Sequence, residues 1–273
     1  QVSALTSDQV QAVTTETVAA LGTDQVQAFT TDQVAALRNA QVQALQSDAL
    51  QALTSAQLGA FSSDQIGALS TDQVNALGTS QLPLLGATQL AGLTPTQLGA
   101  LSTDNLRALT TDQVQGLTSD QLRAFTAGQY GAFTTAQLDA ISAAQIPNLE
   151  AADVAGLTAA QVPSLLKAQV AAFSTDAIQA LTTDAFASFS AEQIGALTTD
   201  QVAALTSDQL NHMTTTQLDA LDASQVGALT QSQVGSLTTD QTHALPTAQL
   251  TALSPTQVGW LTTDAIHTLS TAS

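Results

Sequence analysis

One apolar residue recurs at every eighth position from Leu5 to Leu269, without a single insertion or deletion. All 34 of these sites hold Leu, Phe, Val, Ile or Met, and the unit that starts there has the consensus L-T-T-D-Q-V-x-A. A period this strict indicates that one small structural unit is copied in register and that each copy packs on its neighbours. We number the octad from this apolar residue, which is position 1.

A single continuous α-helix cannot place these residues on one face. Because each residue of an α-helix turns through about 100°, position 1 would drift by about 80° from one octad to the next. The chain must therefore leave and re-enter the helical conformation once in every octad.

The polar residues of the octad indicate where each helix begins. Position 2 is Thr or Ser in 25 of the 34 octads and position 5 is usually Gln, which is the spacing of a capping box. Position 3 is then the first helical residue, and Pro95 and Pro255 occupy that position, where a helix tolerates proline best. Of the 22 acidic residues, 17 lie at position 4, near the positive end of the helix dipole.

These features predict an all-α solenoid of very short capped helices, one per octad, from position 3 to about position 8 or the next position 1. Such a helix is far shorter than the roughly 12–15 residues that are marginally stable alone, so packing between copies must sustain it. Variable position 7 is expected to face solvent, and position 8, mostly Ala, to lie where backbones approach closely. Pro83, Pro147 and Pro163 at position 7 conflict with a regular helix, because proline removes an intrahelical hydrogen bond.

A β-solenoid is the alternative fold, because its coils can also be short. The alanines, the glutamines and the capping boxes are poor strand signals and favour the helical interpretation. Some of the phenylalanines at position 1 recur at multiples of 32 residues, which favours four octads per turn, whereas Phe133 and Phe173 depart from that spacing. The phenylalanines that conform to the 32-residue spacing are Phe29, Phe61, Phe125 and Phe189.

The domain organisation predicted for residues 1–273 is one continuous array of about 34 octads without a linker, since no shift in composition marks a boundary. Neither end carries a distinct capping sequence, although solenoids normally need polar caps. We expect either part of a longer array or a subunit whose ends stack on other subunits.

The composition excludes several classes of partner. Four basic residues against 22 acidic ones give a formal charge of −18, so nucleic acid is an unsuitable partner, because binding it requires Lys and Arg to neutralise phosphates. No apolar run approaches 18 residues, and no membrane insertion is expected. The absence of cysteine excludes disulfides and thiolate metal sites.

No catalytic residue, cofactor or metal site is predicted, and the chain is not expected to be an enzyme. Catalysis requires unlike residues that converge at one place, whereas this chain repeats one surface along its length. His212, His243 and His267 are interpreted as solvated surface residues, with a metal site of His243 and His267 as the alternative. Capping explains the threonines better than an ice-binding surface does, and the helix dipole explains the position-4 acids better than calcium does.

Five residues are candidates for an interface with another molecule. Between Gly128 and Ala168, position 4 loses its acids, and reduced charge with exposed apolar groups is typical of interfaces. The alternative explanation is sequence drift in a tolerant repeat. The candidates are Tyr130, Phe133, Leu166 and Lys167 in this stretch, and Trp260, a single large residue near the end of the chain.

The octad at residues 197–204, LTTDQVAA, resembles the L-T-T-D-Q-h-x-A repeat tracts of large secreted or surface-exposed bacterial proteins. The resemblance covers essentially the whole chain and implies an extracellular structural or adhesive role without catalytic residues. The predicted function is therefore an extracellular or cell-surface rod or spacer, or a filament subunit that self-associates end to end. The alternative is a binding or adhesin module that presents the solenoid surface to a protein or glycan.

Overall fold

The computed structural model describes residues 2–269, which fall into two compact units, Gln1–Ala140 and Ile141–Ser273. Each unit is described by itself below. The first and last residues of the predicted array, Gln1 and residues 270–273, lie outside the described residues. A single continuous array over the whole chain stays a prediction.

The first unit is built from short α-helices and two 3₁₀ segments, Val2–Ala4 and Leu82–Leu84. Its α-helices span Ser7–Ala12, Thr15–Ala19, Thr23–Gln27, Thr31–Ala36, Asn39–Ala44, Ser47–Gln51, Ser55–Gly59, Ser63–Ala68, Thr71–Ala76, Gly78–Gln81, Ala87–Gly92, Pro95–Gly99, Thr103–Ala108, Thr111–Gln115, Ser119–Leu122, Ala127–Tyr130 and Thr135–Ala140.

The second unit has the same construction, with 3₁₀ segments at Ile146–Asn148 and Val162–Ser164. Its α-helices span Ala151–Val154, Lys167–Ala172, Thr175–Ala180, Thr183–Ala187, Ala191–Ile194, Thr199–Ala204, Ser207–Asn211, Thr215–Asp219, Ala223–Gly227, Gln231–Ser236, Thr239–Ala244, Thr247–Ala252, Pro255–Val258 and Thr263–Leu269. No strand occurs among residues 2–269, so the predicted all-α solenoid is confirmed and the β-solenoid is excluded.

In most octads the corner between successive helices is made by positions 1 and 2, which are both extended. Leu77 and Gly78 are exceptions, since Leu77 is helical and Gly78 has φ +63°. At the end of helix Thr199–Ala204, Leu205 has φ −56° and ψ 139°, and its amide donates to the carbonyl of Val202. Thr206 follows with φ −70° and ψ 154°; its hydroxyl accepts from the amide of Gln209, and its own amide donates to Oε1 of Gln209. This reciprocal pair is the predicted capping box, and it restarts the helix at position 3.

The prolines at position 7 change the type of helix without breaking the octad. A four-residue α-helix remains before Pro83, whereas the octads of Pro147 and Pro163 contain a turn and a 3₁₀ segment and no α-helix. Each of Pro83, Pro147 and Pro163 lies in a 3₁₀ segment of three residues. Proline has no amide proton to donate to the carbonyl four residues earlier, so the chain tightens to the three-residue hydrogen-bond spacing. Proline at position 7 is therefore accommodated by a local change from α-helical to 3₁₀ hydrogen bonding.

Within each unit, a short helix packs on the helices three octads before and after it. Helix Ser63–Ala68 contacts Asn39–Ala44 and Ala87–Gly92 in the first unit. In the second unit, helix Thr175–Ala180 contacts Ala151–Val154 and Thr199–Ala204. This stacking sustains helices that could not persist alone.

The glutamine at position 5 joins one turn of the solenoid to the turn before it. In Gln65, Oε1 accepts from the amide of Ser62, while Nε2 donates to the carbonyls of Val34 at 3.1 Å and Leu37 at 2.6 Å. These carbonyls lie 31 and 28 residues earlier in the chain. The same amide therefore caps its own helix and satisfies the carbonyls at the end of an earlier helix.

The residue separations of these contacts limit the number of octads in a turn of the solenoid. Side chains at position 7 reach in the other direction, and Nε2 of Gln27 donates to the carbonyl of Ala52, 25 residues later. Because the chain returns to itself after 25 to 31 residues, a turn contains between three and four octads. The four-octad turn predicted from the phenylalanine spacing is wrong, since the helices that pack on each other are three octads apart.

The core consists of positions 1 and 6, which are buried throughout the interior of each unit. Thr242 is the one polar residue at position 6, and its hydroxyl donates to the carbonyl of Thr238, so its polar atom is satisfied. Position 7 is mostly exposed, as predicted, but several of its side chains also donate to the neighbouring turn. At Gly92, position 8 is a close approach, because a Cβ added there would lie 2.2 Å from the carbonyl oxygen of Ser63, whereas a Cβ added to Gly116 at the same position would meet only its own helix.

Candidate interaction surfaces

Two of the five predicted interface residues lie in the core. Tyr130 is 1% exposed and Phe133 is 3% exposed. Their rings pack with Phe125, and the hydroxyl of Tyr130 donates to the carbonyl of Leu122 at 2.9 Å. They occupy positions 6 and 1, so they fill the inside of the first unit and are left out of any interface.

Leu166 is the most exposed of the large apolar side chains that the structure describes, with 56% of its surface accessible. It stands at position 2, where most octads have Thr or Ser, and its extended backbone still begins helix Lys167–Ala172. Gln169 accepts from the amide of Leu166, so the helix begins without a hydroxyl cap. With Leu in place of Thr or Ser at position 2, this octad lacks the capping hydroxyl and exposes a leucine on the surface of the second unit.

A groove of about 310 Å³ runs beside Leu166, with Pro163 and Ser164 on one side and Ser190 and Gln193 on the other. Lys167 bounds the groove, and its Nζ lies 3.4 Å from a carboxylate oxygen of Glu192. Both partners of this ion pair are mostly exposed, so it adds little stability. The 3₁₀ segment at Pro163 lines the groove, and a smaller groove of about 190 Å³ lies beside the equivalent segment at Pro83 in the first unit.

Trp260 is partly exposed and lies at position 8, two residues after helix Pro255–Val258. Its backbone carbonyl faces Gly235, whose added Cβ would be 3.5 Å from that oxygen. That distance is an ordinary van der Waals contact, so a methyl group at 235 would fit against this backbone. Contact of the Trp260 ring with another molecule stays a prediction.

The first turn of the first unit exposes residues that are buried in every later turn. Gln9 and Gln25, at position 5, are exposed, whereas the next glutamine at this position, Gln33, is 3% exposed. Leu5 at position 1 is 37% exposed and lines an apolar depression of about 100 Å³. We call the surface formed by Leu5, Gln9 and Gln25 the leading face.

The final turn of the second unit exposes a different set of positions. Val258 and Ile266, both at position 6, are 41% and 40% exposed, although this position is fully buried in the interior. Gln249 and Gln257 at position 5 are buried there. We call the surface formed by Val258, Ile266 and the carbonyls of Leu250 and Leu253 the trailing face.

The sequence alone does not reveal either face, because the capping box explains the position-5 glutamine without its second contact. A signal was nevertheless present. Gln41, Gln89 and Gln169 are retained in octads whose position 2 is Arg, Gly or Leu, where no hydroxyl capping box can form. A glutamine that persists without its hydroxyl partner indicates that it has another contact to make.

The described residues offer little for chemistry at a site. His212 has Nδ1 2.7 Å from the carbonyl oxygen of Asp208 in its own helix. Among residues 2–269, no three His, Cys, Asp or Glu side chains lie together in a way that could hold a metal ion. Partial burial raises the pKa of the Asp139 carboxyl, which is at position 7.

Every helix in the part of the chain that the structure describes is too short or too polar to cross a lipid bilayer.

Comparison with known families matches the repeat along most of the chain. The model of the ALTTAQ repeat matches in tandem over residues 2–39, 34–71, 42–79, 85–119, 95–127, 118–151, 146–183, 178–207 and 202–239. This similarity supports a tract of short tandem repeats over both compact units. None of the curated proteins matches the chain.

Proposed function

The chain belongs to the ALTTAQ repeat family, and from this premise we propose that it is an extracellular or cell-surface structural protein. It acts as a rod or spacer, or as a subunit that self-associates end to end into filaments. The chain is a tandem-repeat protein with an α-solenoid fold. The proposed role rests on the contacts between its turns.

One observation carries the proposal, namely that the same contact between turns recurs along both units. Gln121 Nε2 donates to the carbonyls of Leu90 and Leu93 in the first unit, as Gln233 Nε2 does to those of Val202 and Leu205 in the second. A contact that is repeated without a distinct terminal version can be continued by any further turn of the same kind. A surface of this type suits a structural element better than a site for chemistry.

The test of the structural role is the size of the particles that the purified chain forms. Sedimentation velocity at increasing protein concentration and electron microscopy of the same samples should show particles that lengthen with concentration. Particles of one short length at every concentration would contradict the filament and leave the spacer. Compact round particles would contradict both forms of the proposal.

The extracellular location is supported by the resemblance to secreted and surface-exposed repeat tracts. Protease treatment of intact source cells should degrade the protein if it is on the surface. Protection of the protein in intact cells, with degradation after lysis, would contradict this location.

A binding module is the second candidate function, and the exposed Leu166 beside its groove favours it. The partner would be a protein or glycan that contacts Leu166 and the aliphatic part of Lys167. In binding assays on protein and glycan arrays, Leu166→Asp should abolish capture of such a partner while the helix content stays unchanged. Leu84→Asp is the matched control, because Leu84 is a similarly exposed leucine beside the Pro83 groove.

A further inference from the structure

We infer that a groove on the outer surface of the first unit binds an arginine side chain of a basic partner protein. The groove has a volume of about 500 Å³ and is lined by Asp64, Gly67 and Gly92 among other residues. We call it the Gly67 groove. The inference goes beyond the proposed structural role and does not depend on it.

Side chains at position 7 show what this part of the octad surface binds. Nε2 of Gln27 donates to the carbonyl of Ala52, which stands at position 8, at 2.9 Å. Arg107 makes the same contact with its guanidinium, since its Nε donates to the carbonyl of Ala132 at 2.9 Å. In both cases the acceptor lies 25 residues after the donor. The chain therefore already contains a guanidinium bound to this type of carbonyl.

The corresponding carbonyl of the Gly67 groove has no such donor. Gly67 stands at position 7 and has no side chain, and no side chain among residues 2–269 donates to the carbonyl of Gly92, 25 residues later. A Cβ added to Gly67 would lie 2.8 Å from that carbonyl oxygen, so the octad has no room for a donor of its own. The acceptor is available to a donor from another molecule.

An acidic side chain lies at the rim of the same groove. Eight octads have glycine at position 7, and only those of Gly67 and Gly195 also have an acidic residue at position 4. Positions 4 and 7 are neighbours on a helix surface, and Asp64 lines the Gly67 groove. No Lys, Arg or His among residues 2–269 forms an ion pair with Asp64.

The equivalent groove of the second unit shows which charge this acid attracts. It has a volume of about 420 Å³ and is lined by Lys167, Glu192 and Gly195 among others. Nζ of Lys167 lies 3.4 Å from a carboxylate oxygen of Glu192, 25 residues later. In the first unit, the residue 25 before Asp64 is the uncharged Asn39, which also lines its groove. The Gly67 groove therefore has the acid without the cation.

A guanidinium satisfies both acceptors of the Gly67 groove. It carries a permanent positive charge and five N–H donors in a planar fork, so one group can donate to the carboxylate of Asp64 and to the carbonyl of Gly92. The formal charge of −18 attracts a basic protein from a distance. Because Asp64 is exposed, the contact is weak on its own, and added salt should weaken it further.

A titration followed by NMR tests the groove in the full chain. The probe is an acetylated and amidated pentapeptide with one arginine between glycines. The chain has 15 glycines, so selective ¹⁵N-glycine labelling gives few signals. The amide signals of Gly67 and Gly92 should shift saturably, whereas that of Gly99, whose octad has Thr96 at position 4, should not. The same peptide with uncharged citrulline in place of arginine should shift neither.

Asp64→Asn tests the carboxylate with little change in shape. This variant should weaken arginine-peptide binding at least about fivefold, because a charge-assisted hydrogen bond is lost. Asp72→Asn is the matched control, since it removes the same charge from position 4 of the next octad. There the position-7 side chain is present, and Nδ2 of Asn75 donates to the carbonyl of Ala100. The control should change the affinity by less than about twofold.

Asn39→Lys tests whether a cation of the chain can replace the partner. The new lysine stands 25 residues before Asp64, as Lys167 stands before Glu192, so it should compete for the carboxylate and weaken peptide binding at least about threefold. Thr111→Lys is the control, because it adds the same charge at an exposed position 3 of the first unit and is followed 25 residues later by Ala136.

The outcomes decide the inference independently of the structural role. Saturable shifts at Gly67 and Gly92, with selective losses in Asp64→Asn and Asn39→Lys, support the groove. Equal losses in Asp64→Asn and Asp72→Asn, or shifts spread evenly over the glycines, would show only a diffuse cloud of counter-ions and overturn it. Equal binding of the citrulline peptide, or no shift at Gly67, would also overturn it. Circular dichroism of each variant checks that the helices are retained.

Discussion

Asn75 supplies the hydrogen-bond acceptor that Asn105 is too short to provide. Asn105 stands at position 5, where most octads have Gln, and its side chain does not reach the amide of its own cap residue, Ser102. That amide donates instead to Oδ1 of Asn75 at 2.9 Å, across the contact between turns. Nδ2 of Asn105 in turn donates to the carbonyl of Asn75 at 2.9 Å.

Asn75→Ala should therefore destabilise the first unit by about 1 kcal/mol or slightly more, because the amide of Ser102 loses its acceptor. The same substitution in an Asn105→Gln background should cost less, since a glutamine at 105 can accept from Ser102 in the usual way. Equilibrium urea unfolding of the four proteins in this cycle measures the coupling. Equal costs of Asn75→Ala in both backgrounds would show that the two asparagines act independently.

The hydrogen bonds within an octad could be predicted from the sequence, because the two residues of a capping box lie in the same octad. Thr206 and Gln209 are three residues apart, and their spacing alone predicts the reciprocal hydrogen bonds that the structure has. The start of most helices at position 3 followed from the same pattern, and helix Gly78–Gln81, which starts at position 2, is an exception. Local hydrogen bonds of this kind do not depend on how the turns stack.

The contacts between turns could not be predicted in the same way. The donation from Gln65 to Val34 and Leu37 spans 31 and 28 residues, and a period of eight does not state how many octads close a turn. The phenylalanine spacing favoured four because it treated ring stacking as the rule, whereas helix packing and the glutamine amides decide the turn.

The exposure of the candidate interface residues followed from the sequence only in part, and the interface itself stays a prediction. Loss of acid at position 4 describes the outer face of the octad, but Tyr130 and Phe133 stand at positions 6 and 1, which point inward. Leu166 stands at position 2, on the outside, and is exposed. The position within the octad distinguishes the buried Tyr130 and Phe133 from the exposed Leu166, whereas the loss of acidic residues does not.

Pro246 leaves a buried acceptor unsatisfied in the second unit. It occupies position 2, and because proline has no amide proton, Oε1 of Gln249 receives no hydrogen bond and is buried. Pro246→Thr supplies both an amide and a capping hydroxyl, so it should stabilise the unit by about 1 kcal/mol. Urea unfolding measures this gain.

Pro255→Thr is the control for that experiment. Pro255 is the first residue of its helix, where the amide would have no intrahelical partner, and the capping box of Ser254 and Gln257 is intact. Both substitutions release the unfolded chain from a proline, so the difference between them isolates the amide. A gain at Pro255 as large as that at Pro246 would contradict the explanation.

The same substitution should have opposite effects at two glycines of position 2. Gly86 is extended, with φ −71°, and Gln89 accepts from its amide, so Gly86→Ser adds the missing hydroxyl and should stabilise by a few tenths of a kcal/mol. Gly78 has φ +63°, a conformation that costs other residues about 1–2 kcal/mol, so Gly78→Ser should destabilise. Thermal unfolding, monitored by circular dichroism, would rank the variants by melting temperature. A stabilising Gly78→Ser would mean that this corner can adopt the extended conformation of Gly86.

Gly92 is required by the distance between stacked backbones. Its added Cβ would lie 2.2 Å from the carbonyl oxygen of Ser63, three octads earlier, so the two helices must separate to admit a methyl group. Gly92→Ala should therefore destabilise the first unit by about 1–3 kcal/mol, measured by urea unfolding.

Gly59→Ala is the control for this substitution, because an added Cβ there meets nothing within 4 Å. Alanine favours a helix over glycine by up to about 1 kcal/mol, so this variant should be as stable as the original chain or more so. If Gly92→Ala and Gly59→Ala both stabilise the protein, the stacked turns can move apart at little cost in free energy. The backbone of position 8 would then not set the spacing between turns in this unit.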